Sequence, residues 1–307
     1  MTSERLLLCR PMGGLNDMLC QVEAACRYAE RFDRTVVVDT RYGAKFYFRD
    51  SFSNYFASRQ ERLVLDADKV IDRLDATDVF PGFLAGRVTT YESRYDYDLR
   101  KIIDGQTRLP VSFDFDRDYA EPLIVHHAIG GGTHAIGALA RLRLQPPLVE
   151  VLLARMAAIG PRYSGVHVRD TDYRAKYRRT MLSGKIDLSL PIFLGTDNRD
   201  TVAYFRSLFG ERVHSFANLP AVAGSPAHHV DDLAQAYERN RDSILDLVML
   251  ALSSRLYLFE LEPNRWNVQY SGFSVLAANL HNSKPLLAAL ISDDPAVLAA
   301  VGLDPTP

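Results

Sequence analysis

The strongest constraint on the fold lies in the first forty residues. Arg5 to Cys9 is a short apolar run, and Pro11-Met12-Gly13-Gly14 breaks it. From a start near Asn16, apolar residues recur at helical spacing: Leu15, Met18, Leu19, Val22, Cys26 and Ala29. Arg34 to Asp39 follows, with Val36, Val37 and Val38 in a row. A continuous apolar run of that kind fits a parallel strand buried on both faces. Strand, glycine turn, helix and strand in this order make a βαβ unit, whose first loop opens on the carboxyl edge of the sheet.

The second half repeats the alternation. Pro146-Pro147 opens a helix, with proline in its first turn, and Gly160-Pro161 ends it. Ser164 to Val168 reads as a strand, as do Ile192 to Thr196, Val213 to Phe216 and Leu256 to Phe259. Helices are expected over Asp197 to Leu208, Arg241 to Ser253 and from Ser271 to about Leu280. Strands alternating with helices predict a second α/β sheet, and 307 residues leave room for two domains. We therefore expect domains over 1–145 and 146–307. Between the halves, Leu63 to Leu74 has a helical pattern and Pro122 to Val125 reads as a strand. The aromatic stretch Tyr42 to Tyr55 fits a packed cluster better than a platform for a sugar ring. Tyr91, Tyr95 and Tyr97 sit among charges on an expected exposed loop or acceptor side. Residues 217–239 read as a long loop carrying His228-His229, and the loop from Glu260 to Tyr270 holds Trp266, the only tryptophan.

Bulk properties exclude several partners. A formal net charge of −2 gives no footprint for nucleic acid. Three early cysteines, Cys9, Cys20 and Cys26, fit reduced thiols among apolar neighbours. The N-terminus has no signal-peptide core, and no apolar run approaches the ~20 residues of a spanning helix. A cytoplasmic location is expected.

Chemistry concentrates in Gly165 to Tyr173. His167 and Arg169 are two apart, so on a strand they share a face, at the end where open α/β sheets place their ligands. A guanidinium there suits phosphate oxygens; it equally suits an ion pair with Asp170 or Asp172. Asp170-Thr171-Asp172 has the form of the Asp-x-Asp of metal-dependent glycosyltransferases, a very short pattern. The phosphatase version fails, because Arg174 stands where threonine is needed. Arg174, Lys176, Arg178 and Arg179 form a basic run suited to an anionic acceptor or donor. Ser271-Gly272-Phe273-Ser274 at a helix start offers hydroxyls and free N–H groups, either for an anion or as a plain cap. Asp246 lies in an apolar helix and needs a partner, for which the N–H edge of a nucleotide base is one candidate; Asp242, four residues earlier, shares its face or caps the helix. Gly13-Gly14-Leu15-Asn16-Asp17 lacks the third glycine of the dinucleotide fingerprint but sets Asn16 and Asp17 at a strand-to-helix turn. His126-His127 before Gly130-Gly131-Gly132 and His134 reads as a glycine loop in preference to a metal site.

Val166-His167-Val168-Arg169-Asp170-Thr171-Asp172 resembles the His-Val-Arg-x-Thr-Asp signature of the fucosyltransferase superfamily. That group spans the alpha-1,6, alpha-1,2, rhizobial nodulation and protein O-fucosyltransferases. Gly13-Gly14-Leu15-Asn16-Asp17-Met18 is similar to the Gly-Gly-Leu-Gly-Asn-Gln-Met opening of the alpha-1,2 members. The resemblance implies a GT-B fold, with two Rossmann-like α/β domains facing a central cleft: an acceptor-side domain first and a nucleotide-sugar domain second. It implies inverting transfer of a sugar, fucose from GDP-fucose before any other nucleotide sugar, to a hydroxyl of a glycan or polysaccharide intermediate. No metal or other cofactor is implied, and a lipid-linked acceptor would add peripheral membrane contact. By position, His167 and Asp246 would contact guanosine, Arg169 the β-phosphate, and Ser271, Gly272, Phe273 and Ser274 the diphosphate, with Gly14 and Asn16 also on the donor. The glutamate that some members carry after the signature has no counterpart from Tyr173 to Arg179, leaving Asp172 and Asp17 as candidate bases. A non-catalytic nucleotide or sugar-binding protein is the alternative class.

Overall fold

A computed structural model describes residues 4–42, 48–182, 189–219, 235–264 and 267–303. The chain divides into two compact units, Met1–Arg143 and Leu144–Pro307. His228, His229, Phe46, Tyr47 and Trp266 lie outside the described residues.

The first unit runs β1 (Leu6–Met12), α1 (Leu15–Phe32), β2 (Thr35–Val38), β3 (Phe56–Ser58), β4 (Leu63–Val64), α2 (Ile71–Leu74), β5 (Val79–Phe80), β6 (Ser93–Asp96), β7 (Lys101–Asp104), β8 (Leu123–Ile129), α3 (Ala135–Ala140) and β9 (Leu142–Leu144). Its main sheet has the order β4-β2-β1-β8-β5, all parallel. Every residue of β1 is buried, as the central strand of a doubly covered sheet requires. One face holds the cluster of Leu6, Leu8, Val37, Leu74, Val79, Val88, Tyr91, Val111, Leu123 and Val125.

Three expectations for this unit change. Leu63 to Leu74 is not one helix. Leu63 and Val64 pair with Val36 and Val37 as an edge strand, and Asp66 then caps a 3₁₀ turn by accepting from the Asp68 amide. Lateral pairing outweighs local helical pattern at that edge. The strand from Leu123 runs on to Ile129, because β1 continues to Met12 opposite it; His126 and His127 are therefore strand residues. Ser93 to Asp104 forms an antiparallel hairpin, β6 with β7. The aromatic stretch is packed: Phe48, Phe52, Tyr55 and Phe56 are buried with ring centroids 4.8–5.6 Å apart.

The second unit continues with α4 (Pro146–Ile159), β10 (Ser164–Val168), α5 (Tyr177–Leu182), β11 (Ile192–Thr196), α6 (Arg199–Phe209), β12 (Val213–His214), α7 (Ala236–Leu252), β13 (Arg255–Leu258), α8 (Gly272–His281), α9 (Lys284–Ile291) and α10 (Pro295–Ala300). Its sheet, β12-β11-β10-β13, is again wholly parallel. Helix α7 starts five residues before the expected Arg241, within what the sequence pattern leaves as loop. Gly165 and Gly195 let α7 lie close on the sheet. A Cβ on Gly165 would sit 2.7 Å from Ser253 Oγ, and one on Gly195 3.3 Å from Leu250 Cδ1. The α/β architecture read from the sequence is the one observed. Among the described residues no helix is long and apolar enough to cross a membrane.

Candidate functional site

In the second unit, β10 carries His167 and Arg169 to the carboxyl edge of the sheet. His167 is 7% exposed, and its Nδ1 lies 2.7 Å from Ser274 Oγ. Ser274 Oγ is in turn 2.9 Å from Ser271 Oγ, which also accepts from the Ser274 amide at 3.1 Å and so caps α8. Phe273 stacks on the imidazole with centroids 5.0 Å apart. The four residues Ser271 to Ser274 and His167 thus form one cluster, with the N-terminus of α8 inside it. Helix N-termini favour anions through their free N–H groups and dipole. Burial, assisted by the positive charge of Arg169, pushes His167 down to about 3. The ring is neutral at pH 7, a hydrogen-bonding group and not a cation.

Arg169 is partly exposed, at 24%, and is held from two sides. One arm meets Asp172 Oδ1 at 2.6 Å and the other Asp197 Oδ2 at 2.8 Å. A guanidinium has five N–H donors, so two ion pairs orient Arg169 without exhausting it. Asp172 also accepts from the Tyr173 amide at 3.1 Å and from the Thr171 hydroxyl at 3.3 Å. Asp170 has a different role. Its Oδ2 accepts from Thr201 Oγ1 at 2.7 Å, Tyr177 OH at 3.3 Å and Asn198 Nδ2 at 3.4 Å. The Asp170 amide binds Asp197 Oδ1 at 2.8 Å, and the Thr171 hydroxyl binds Asp197 Oδ2. The two carboxylates of Asp-x-Asp therefore diverge, one into a structural network and one onto Arg169. Of the basic run, Lys176 pairs with Glu260 at 3.4 Å and Arg178 lies over the Tyr204 ring at 4.9 Å.

Asp246 is buried on α7, and the chain itself supplies a partner for it: Arg155 of α4, at 3.4 Å from Oδ1. Arg155 also bonds Asp242, which accepts further from Arg241 at 3.0 Å and the Asn218 amide at 3.1 Å. Asp242 sits in the second turn of α7 as part of a buried ion network; Gln235 holds the cap position.

In the first unit, Gly14 is the N-cap of α1, and its carbonyl accepts from the Met18 amide at 3.0 Å. Asn16 is buried, with Nδ2 3.4 Å from both Asp17 Oδ1 and the Gly132 carbonyl. A Cβ on Gly131 would fall 2.1 Å from Asp17 Oδ1. Gly13 has a φ of +112°, and a Cβ there would stand 2.9 Å from the same carboxylate. Three expected elements, the two glycine turns and the start of α1, thus meet around Asp17. His126 and His127 are saturated by the fold. His126 contacts Ser112 Oγ and Gln21 Oε1, each at 2.8 Å; His127 contacts Tyr91 OH at 2.7 Å and Met12 Sδ at 2.9 Å. Among the described residues no cluster of three or more His, Cys, Asp or Glu side chains is arranged to hold a metal ion. The three cysteines are free and buried, and burial pushes Cys26 up to about 12, far from a reactive thiolate.

Two residues of this arrangement escape a reading of the sequence. Asp197 looks like a helix-capping residue, yet Asn198 does the capping and Asp197 turns back to Arg169 and the Asp170-Thr171 turn. Its signal is an acid at the end of the strand next to β10. Arg155 looks like one more face residue of α4.

No family model and no curated protein matches the sequence. Solved structures do. The fucosyltransferase NodZ from Bradyrhizobium is similar over 91% of this chain and 94% of its own, at 18% identity and a TM-score of 0.58. NodZ alpha-1,6-fucosyltransferase soaked with GDP-fucose matches over 90% and 92% at 19% identity, TM-score 0.54. POFUT1 in complex with GDP matches over 91% and 96% at 11% identity, TM-score 0.50. The chain has the fold of these fucosyltransferases, the α/β GT-B class that the resemblance implies.

Proposed function

We propose that this protein is a glycosyltransferase that transfers fucose from GDP-fucose, with inversion and without a metal, to a hydroxyl of a glycan or polysaccharide intermediate. The observation that carries this reading is the joining of His167, Ser271 and Ser274 at the N-terminus of α8, on the strand that presents Arg169. His167 is 107 positions from Ser274 in sequence, and the fold brings the histidine and the serine pair to one sheet edge. An anionic leaving group is what such a cluster stabilises: the helix N–H groups and two hydroxyls take phosphate oxygens, and Arg169 supplies the charge that neutralises departing GDP. Asp172 then serves Arg169, as Asp197 does, which leaves Asp17 as the candidate base. NodZ alpha-1,6-fucosyltransferase, of the same fold, has been co-crystallised with GDP and soaked with GDP-fucose, which supports the choice of donor. The protein would work in the cytoplasm on a nucleotide sugar made there, at a membrane surface where the acceptor is lipid-linked.

The test is release of GDP from GDP-fucose by the purified protein, with and without glycan acceptors and with a chelator. GDP release that survives chelation is expected. Tight GDP binding with no turnover on any acceptor would leave a binding protein, and loss of turnover on chelation would make the Asp-x-Asp a metal site.

A further inference from the structure

Asp17 sits in the first turn of α1, half-buried beside the exposed glycines Gly131 and Gly132. The loop that follows β8 shapes its surroundings. A Cβ on Gly131 would overlap Asp17 Oδ1 and stand 3.0 Å from Asn16 Nδ2. Gly130, Gly131 and Gly132 in succession are the most freely rotating backbone a chain can offer. A carboxylate packed on them is only as well placed as the loop itself.

The loop is held from α1. Gln21 lies one turn after Asp17 on the same face of that helix, and its Nε2 donates to the Gly130 carbonyl. Pinning that carbonyl fixes the planar peptide that runs into Gly131. Gln21 Oε1 lies 2.8 Å from His126 Nε2, and His126 Nδ1 lies 2.8 Å from Ser112 Oγ. A carbonyl can only accept, so the Gln21 amide nitrogen must face Gly130 and its oxygen must face His126. His126 then carries its proton on Nε2. Burial keeps the ring neutral, with its pKa pushed down to about 4, so Nδ1 accepts and the Ser112 hydroxyl donates. One acceptor in the loop thereby sets a carboxamide orientation, a tautomer and a hydroxyl rotor, each in a single direction.

We propose that Gln21 and His126 are positioning residues for Asp17: the directed chain from Ser112 through His126 and Gln21 to Gly130 holds the glycine loop in the shape that aims the Asp17 carboxylate at the acceptor hydroxyl. This rests on the reading of Asp17 as the base. In that reading Asp17 takes the hydroxyl proton, the hydroxyl oxygen bonds the anomeric carbon, and GDP leaves with the electron pair of the bond that breaks. Neither Gln21 nor His126 touches substrate. They act on rate through geometry, because a small misplacement of a reacting group is costly to rate.

The experiment is GDP release from saturating GDP-fucose by the full chain, with water as the acceptor, beside calorimetry of GDP and thermal melting. Gln21→Met keeps the length of the side chain without its N–H. It should lower kcat about tenfold while GDP affinity, set in the second unit, stays within about threefold. Gln21→Glu has the same shape but turns an oxygen toward the Gly130 carbonyl, and should cost at least as much rate. Ser112→Ala, further from the loop, should cost about threefold in kcat, and Ser112→Thr, which returns the hydroxyl, should recover it. A packing role predicts that Gln21→Met keeps its rate, or that lost rate follows lost melting temperature, and either result overturns the proposal. Should Gln21→Met fail to fold, the contrast between Ser112→Ala and Ser112→Thr carries the test. Asp17→Asn separates the two levels. Full activity in that variant removes the base on which the inference rests, whereas an inactive Asp17→Asn beside a fully active Gln21→Met removes the positioning chain alone. Wild-type protein that releases no GDP overturns the enzyme reading, and this inference with it, before any variant is compared.

Discussion

The carboxyl edges of the two parallel sheets hold similar residue types put to opposite uses. In the first unit Arg10, His126 and His127 are sealed. Arg10 is fully buried between Asp39, the Val88 carbonyl and the Tyr42 ring, 3.5 Å from the ring centroid. His126 and His127 use both ring nitrogens internally. In the second unit Arg169 is partly exposed, and His167, two residues before it, joins Ser274 and Ser271 at the N-terminus of α8. Burial with internal partners makes a polar network a stability element; partial exposure with spare donors leaves it able to take a ligand. The difference teaches that a histidine or arginine at a sheet edge declares nothing by itself, and that the count of internal partners decides its role.

The comparison breaks most visibly at Arg169. Arg169→Ala should weaken GDP binding by about 100-fold, in the range found when one partner of a desolvated charge pair is truncated. Asp170→Ala should leave affinity within threefold while lowering unfolding free energy by about 2 kcal/mol, because it empties the Thr201, Asn198 and Tyr177 network. Calorimetry and urea denaturation on both variants separate the two, and equal affinities would remove Arg169 from the phosphate site.

A second effect, of similar or smaller size, belongs to the sealed side. Burial depresses His126 from the ordinary 6.5 to about 4. As pH falls below 6.5, the unfolded chain takes up a proton before the folded one does. Stability fully present above pH 6.5 is therefore lost as pH approaches 4, by at most about 3 kcal/mol at ~1.4 kcal/mol per unit. Denaturant midpoints measured from pH 7 to 4 should show a shallower acid limb in His126→Gln than in wild type. An unchanged limb would mean that His126 is not sealed.

The smallest expected effect sharpens the open side. Ser271→Ala removes the cap of α8 and should cost about 1 kcal/mol of stability, with a comparable loss of GDP affinity, since the same hydroxyl belongs to the cluster. A stability loss without any change in binding would reduce Ser271 to a cap.

Much of this molecule is legible from residues alone. Apolar runs marked β1, β2 and β11, because a parallel strand covered on both faces has little polar side to show, and an alternating run marked β10. Spacing placed His167 and Arg169 on one face, and the serine pair marked the start of α8. Legibility failed where a partner came from far along the chain. Leu63 and Val64 carry a helix-like pattern, and only the free edge of β2 makes them a strand. The strand through His126 and His127 is set by the length of β1 opposite. Asp-x-Asp reads as one device, and only Asp197, Thr201 and Asn198 from the neighbouring strand and helix divide it in two.

The sequence by itself determined that this chain is an α/β protein of parallel sheets with an anion-suited strand end, since periodicity and local chemistry act over a few residues. Tertiary structure alone decided which charges are spent and which remain. Arg155 and Asp246 are 91 positions apart and His167 and Ser274 are 107 apart. A buried charge takes its meaning from the group that desolvation forces against it, and that group is chosen by packing, over distances no local pattern records.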